Sequence, residues 1–263
     1  MNTLLSIDGN TAFNHKFDWP FVFQKFELLQ VTFTSMNELI SDHILSYHFD
    51  LEQSISTIKL PKLVEWLLPY SGNETQRIMT LFYKKYYHDQ SPRTLIFGIN
   101  PGRLGGGLTG IPFTDPVKLI EECQIENSFP KKPELSAQFI YQVIHQWGGL
   151  DRFYSQFYIS SLCPLGFIKE GVNYNYYDDK ILTNSVTPFI VQNIIAQKKI
   201  GRSDSKVAYC LGEGKNFDFF NRLNAEHHFF DKIIPLPHPR WIMQYRRKSI
   251  NQFLDLYIER LGN

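Results

Sequence analysis

Cysteine is scarce in this 263-residue sequence: Cys123, Cys163 and Cys210 are its only three, they lie far apart, and no two share a paired spacing. A four-cysteine iron–sulfur cluster within the chain is therefore excluded, and the spacing argues against zinc. Cys163 and Cys210 fall in apolar β-type runs, where a buried reduced thiol is the expected role. An excess of either charge is also missing, because the formal net charge is +1. Any contact with a polyanion must then come from a local basic patch. No apolar run approaches the length of a membrane span, no basic-then-apolar signal segment opens the chain, and the expectation is a cytoplasmic protein without membrane contact. Internal repeats and low-complexity segments are absent too.

What is present is an ordinary globular composition, 43% hydrophobic and 20% charged, with a high aromatic share of 15%. The length suits one substantial core. The expected organisation is a segment 1–34 of doubtful order, aromatic but without period, followed by one domain over 35–263. A translational start near Met36 is an expectation that an intact mass would test.

From Met36 the pattern Met36, Leu39, Ile40, Ile44, Tyr47 marks an amphipathic helix. Leu60-Pro61 predicts a short helix carrying Leu63, Trp66 and Leu67, and a longer one is expected from Asn73 to Asp89. Thr94 to Phe97 reads as the first strand. Helices follow at Pro116 to Cys123, capped by Asp115, and at Glu134 to Trp147, stopped by Gly148-Gly149. Gln156 to Leu162 is the second strand. Asp178 to Gln197 is helical on both sides of Pro188, which should kink or restart it. Lys206 to Leu211 and Lys232 to Leu236 are the third and fourth strands, the first leading to a helix through Leu223 and the second to a final helix from Arg246 to Leu261. Alternating strands and helices predict an α/β fold: a single three-layer domain with a central four-stranded parallel sheet and helices on both faces. All four strand-to-helix loops would then open on one edge, bringing Asn100, Ser161, Lys215 and His238 toward a common cleft.

The stretch that most needs explaining is Thr94 to Asp115, TLIFGINPGRLGGGLTGIPFTD, where a buried strand passes into a loop crowded with glycine. Glycines there remove side chains where the chain turns or where a ligand approaches. Asn100 stands at the strand's carboxyl end, the place where open α/β sheets bind ligands.

GINPGRLGGGLTGIPF from Gly98 to Phe113, SLCPL from Ser161 to Leu165, and His238-Pro239 together resemble the uracil-DNA glycosylase superfamily. The nearest pattern is that of its single-strand-selective monofunctional branch and bacterial relatives, which carry a Gly-Met-Asn-Pro-Gly motif and Thr-Gly-Val-Pro-Phe at the offset seen here for Thr109 to Phe113. The resemblance spans roughly residues 36 to 263 by the coarse boundaries open to sequence reading. It implies a DNA repair enzyme that flips a damaged base, usually uracil, out of the stack and hydrolyses its bond to deoxyribose. No metal or cofactor is implied, DNA is the partner, and a monomer is the expectation. By resemblance Asn100 would position the attacking water, and His238 would donate a hydrogen bond to uracil O2 as charge builds on the departing base. Phe113 would stack on the flipped base, and the backbones of Ile99 and Gly102 would line the pocket.

Two departures stand out. Ser161 replaces an asparagine that reads the uracil edge, so hypoxanthine or xanthine could also fit, because a hydroxyl is shorter than an amide and cannot present its bidentate pattern. The late motif continues as Arg240-Trp241-Ile242 instead of Ser-Pro-Arg, and any of these three could wedge into the space the flipped base leaves. Arg103, Arg240, Arg246, Arg247 and Lys248 suit a phosphate-binding surface, and Lys215 in Gly214-Lys215-Asn216 could hold a phosphate at a helix start. Asp115 is explained more simply as a cap than as a general base. Two other classes stay open: a non-catalytic binder of damaged or single-stranded DNA, and a nucleotide-binding enzyme using the glycine loop, although GEGK lacks the full phosphate-loop spacing.

Overall fold

The first turns described are amphipathic, and they form helix α1 (Ile40–Phe49) with Ile40, Ile44 and Tyr47 buried. The structure, a computed structural model, describes residues 38–55 and 58–262. Met36 and the whole of segment 1–34 lie outside the described residues.

The helix expected to start at Leu60-Pro61 is instead strand β1 (Val64–Leu67). Leu63 takes a left-handed backbone, φ 65°, which no helix can continue through. Val64 to Leu67 then pair antiparallel with Gly166 to Lys169, a strand not expected from the sequence. Helix α2 (Asn73–Tyr86) follows, then β2 (Thr94–Gly98), the short α3 (Gly106–Thr109) inside the glycine loop, and α4 (Pro116–Glu121). Asp115 caps α4 as expected, accepting from the backbone N–H groups of Val117 and Lys118 at 2.9 and 2.8 Å. Its other oxygen accepts from Glu134 N at 2.7 Å, so one side chain also fixes the start of α5 (Leu135–Trp147).

A single turn, α6 (Leu150–Tyr154), leads to β3 (Phe157–Ser161), whose residues are all buried. The chain next folds into a hairpin, β4 (Gly166–Lys169) and β5 (Val172–Tyr174). Its two-residue turn, Glu170-Gly171, has positive φ at both positions, 50° and 75°, the geometry that matches strand twist. Gly166 admits β1 closely, since a Cβ there would fall 2.8 Å from Leu67 O.

Helix α7 (Lys180–Ile200) runs unbroken through Pro188. An interior proline costs about 3 kcal/mol, and burial of Val186, Phe189, Ile190 and Ile194 beside it offsets that. The remaining elements are β6 (Val207–Leu211), α8 (Lys215–His227), β7 (Lys232–Leu236), α9 (Pro239–Tyr245) and α10 (Ile250–Gly262). The last two correct the single helix expected from Arg246: Pro239 starts a helix of its own, and Arg247–Ser249 form a tight turn before α10.

The main sheet is parallel with strand order β3-β2-β6-β7, as the alternation required. The chain leaves β2 toward β3 on one side, and later places β6 and β7 on the other. The switch point therefore lies between the carboxyl ends of β2 and β6, where the loops carrying Asn100 and Asn216 diverge. No described helix is long and apolar enough to cross a membrane.

Candidate active site

A cavity of about 720 Å³ opens at that edge of the sheet. Ile99, Asn100, Gly102, Arg103, Phe113, Ser161, Lys215, His238, Arg240 and Trp241 all line it, which brings together residues from four separate loops. The juxtaposition follows from parallel topology, since every β-to-α loop emerges at the same end.

Asn100 is held at both ends of its amide by the chain leaving the hairpin. Its Oδ1 accepts from Tyr176 N at 3.2 Å and its Nδ2 donates to Tyr174 O at 3.2 Å. The pairing assigns the amide's orientation and leaves Oδ1 one further lone pair. Tyr176 is itself fixed, its hydroxyl donating to Asn216 Oδ1 at 2.8 Å, while Asn216 Nδ2 donates to Leu211 O at the end of β6.

His238 caps α9: its Nδ1 accepts from Arg240 N at 3.2 Å. An accepting Nδ1 carries no proton, so the neutral ring bears its hydrogen on Nε2. Burial, with a smaller contribution from the Arg240 charge, lowers its pKa to about 4. The Pro237 carbonyl just before it is tied to α10 by the Tyr257 hydroxyl.

Phe113 sits near this ring, centroids 6.3 Å apart. Its φ is 53°, a conformation that non-glycine residues adopt at a cost of order 1 kcal/mol or more. Gly98 makes room for it, because a Cβ there would lie 3.0 and 3.1 Å from the phenyl edge. The loop is further pinned by Thr109, whose hydroxyl donates to Thr114 O at 2.6 Å.

Ser161 is 7% exposed, and its carbonyl accepts from Asn193 Nδ2 at 2.9 Å, a buried amide that also receives the Tyr47 hydroxyl at 2.6 Å. Glu134 enters from the foot of α5. Its carboxyl lies against the glycine loop so closely that a Cβ on Gly105 would fall 2.0 Å from Oε2. Burial first, then the neighbouring Asp115 charge, push its pKa up to about 7, with Arg240 pulling the other way.

The basic residues divide. Arg103, Lys215 and Arg240 are exposed at the cavity, with the Lys215 ammonium 5.9 Å over the Tyr177 ring. Arg246, Arg247 and Lys248 are exposed beyond it, and the Arg246 guanidinium covers Trp241 at 4.9 Å. Trp241 is 40% exposed and also meets Phe253 edge-on at 5.9 Å. Ile242 departs from the expectation that placed it at the DNA. It is fully buried, on the side of α9 that packs into the core, and cannot act as a wedge.

His48, Tyr70, Glu134 and Asn173 also line the cavity and were not foreseen, and Asn216, expected only beside a phosphate, lines it too. Asn173 and the Asn100 clamp depend on the unforeseen hairpin, whose Glu170-Gly171 turn was its one readable signal. His48 lies on a helix whose amphipathic pattern gave no hint that its polar member reaches a pocket.

The sequence profile of the uracil DNA glycosylase superfamily matches residues 85–262. A crystal structure of wild-type SMUG2 from Pedobacter heparinus is similar at 44% identity and a TM-score of 0.81, over 85% of this chain and 97% of that one. No curated protein matches this chain.

Proposed function

This chain belongs to the uracil DNA glycosylase superfamily, on the side of its single-strand-selective monofunctional branch, and we propose that it removes uracil from DNA and leaves an abasic site. As a member of that family it is a DNA repair glycosylase acting on DNA. The observation that carries the finer reading is the clamped amide of Asn100 sharing one cavity with the Nε2–H tautomer of His238.

The chemistry asks little of a base. As the C1′–N1 bond breaks, its electron pair passes to uracil N1 and is delocalised onto O2, and the sugar becomes oxocarbenium-like. His238 Nε2–H donates to that O2 where charge accumulates, and the worth of such a preset donor is about 10²–10³ in rate. Asn100 Oδ1, already oriented by Tyr176, uses its remaining lone pair to hold the water that bonds to C1′. The water's proton leaves to solvent. Phe113 offers its face to the flipped base, and Arg103, Lys215 and Arg240 at the rim meet phosphates. The amine of Lys215 takes no covalent part, so cleavage should stop at the abasic site.

Oligonucleotides carrying uracil, hypoxanthine or xanthine, single- and double-stranded, treated with protein and then alkali, test this directly. Uracil strands should break only after alkali. No abasic product from any substrate overturns the enzymatic reading in favour of a binder, and a borohydride-trapped covalent adduct overturns the monofunctional one.

A further inference from the structure

Deamination changes one ring atom in a way a protein can read. Cytosine N3 and adenine N1 are bare acceptors, whereas uracil N3 and hypoxanthine N1 carry hydrogen. A pocket that takes the deaminated base and refuses its parent therefore needs a fixed acceptor at that atom. Ser161 cannot be it alone, because a hydroxyl rotates to donate or accept and satisfies either base. Asn100 Oδ1 gives its remaining lone pair to the water, Asn216 is tied at both ends of its amide, and the Tyr70 hydroxyl, having donated to Pro164 O at 2.9 Å, is a further acceptor beside His48.

His48 differs. Its Nδ1 stands 2.8 Å from Ile44 O, and a carbonyl only accepts, so the hydrogen is on Nδ1 and Nε2 is a lone-pair acceptor. Nε2 has no hydrogen-bond partner among the described residues, and the ring lines the cavity. Tyr47 edge-on at 5.2 Å and Tyr70 at 5.0 Å hold the ring's plane. Burial lowers its pKa to about 4, so the acceptor survives at neutral pH. The same helical turn is bonded to the end of β3, since Tyr47 reaches Asn193 and Asn193 reaches Ser161 O.

We propose that His48 is a specificity-determining residue of this cavity, its Nε2 accepting from the ring N–H that deamination creates, with Ser161 left to serve the adjacent exocyclic oxygen. The inference rests on the glycosylase reading. It explains how the site keeps a fixed acceptor after losing the family's asparagine: the acceptor comes from another element, α1, outside the three motifs.

The test compares uracil with cytosine, whose N3 is a bare acceptor and has no N–H to give. In 2′-fluoroarabino oligonucleotides, which bind without being cleaved, the unaltered protein should hold uracil more tightly by about tenfold, the worth of one buried hydrogen bond. The uracil to cytosine affinity ratio should shrink about tenfold in His48→Ala, in which the contact of Ser161 with the exocyclic group is unchanged. Equal affinities of the unaltered protein for the two analogues overturn the inference even if the variant fails to fold, and an unchanged affinity ratio in a folded variant does the same. Absence of any uracil excision by the unaltered protein overturns the glycosylase reading and this inference with it. Excision with equal analogue affinities overturns the inference alone.

Discussion

His48 and His238 line the same cavity with their hydrogens on opposite ring nitrogens: His48 donates from Nδ1 to Ile44 O, whereas His238 accepts at Nδ1 from Arg240 N. One ring is thereby set to accept and the other to donate, and each tautomer is fixed by a backbone group of its own helix. Neither assignment survives protonation, since an imidazolium donates from both nitrogens.

That gives a pH dependence with a definite sign. Both folded-state pKa values lie near 4, below the ordinary histidine value of 6.5, chiefly because burial penalises the charge. An unfolded chain takes up these protons near pH 6.5 while the folded chain refuses them until about 4. Stability is therefore complete above 6.5 and is lost as pH falls toward 4, by up to about 3 kcal/mol for each ring. Urea unfolding between pH 7 and 4 should show this loss, and a folded His48→Gln variant should lose less.

Glu134 runs the other way. Its carboxyl is raised to about 7 by burial and by Asp115. Between pH 4.5 and 7 the unfolded chain has released a proton that the folded chain keeps, so stability falls as pH rises through that window and then levels. Glu134→Gln should match the unaltered protein at the acid end and exceed it by about 1–3 kcal/mol at pH 8. Equal urea midpoints at pH 8 would count against the buried acid.

Asn100→Ala and His238→Ala should slow single-turnover excision by roughly 100-fold or more while changing DNA affinity little, because the proposed role of each is at the reacting atoms. Arg246→Ala should do the reverse, weakening affinity with a shallower salt slope and little effect at saturation. Equal loss of binding in all three would undo these roles. Asn216→Ala adds a finer check. It is linked to Asn100 by hydrogen bonds through Tyr176, and a drop in rate with unchanged affinity would mark it as a positioning residue.

The space between Gly98 and Phe113 allows a sharper intervention. A methyl on Gly98 would stand 3.0 Å from the phenyl edge with β3 backbone behind it, at 3.6 Å from Ser160 O. Gly98→Ala should displace the ring and slow uracil excision about tenfold or more with the fold retained, read by single-turnover kinetics beside far-ultraviolet circular dichroism. An unchanged rate would mean the phenyl face is not used.

The parallel sheet was legible because each of its strands is a short apolar run with a turn at its carboxyl end, and the cavity was legible because those ends must coincide. Asn100 and His238 follow from that alone, whereas Phe113 follows from the family resemblance of its motif. The β4–β5 hairpin was not legible: GFIK and VNY are too short and too mixed for periodicity, and only β1, misread as a helix after Pro61, gives them a partner. The clamp on Asn100 was hidden with it. His48 was hidden for another reason, since nothing local distinguishes a core histidine from one at a pocket wall. The role proposed for it rests on its bond to Ile44 O and on its place in the cavity wall, and only the fold brings these together.

Burial distinguishes the three wedge candidates. Ile242 is fully buried, and Trp241 is held between Phe253 and the Arg246 guanidinium, which leaves Arg240, exposed beside His238 at the cavity mouth. A wedge matters only where a base leaves a hole in a paired stack. Arg240→Ala should therefore slow excision from duplex DNA about tenfold and leave single-stranded substrate nearly unchanged. Trp241→Ala, acting on a platform at the rim, should affect both alike. Ile242→Ala should cost about 2–5 kcal/mol of stability as a core truncation, with no difference between the strands. A duplex-specific loss in Trp241→Ala and none in Arg240→Ala would transfer the wedge to the indole, and would require that ring to leave Phe253 when DNA binds.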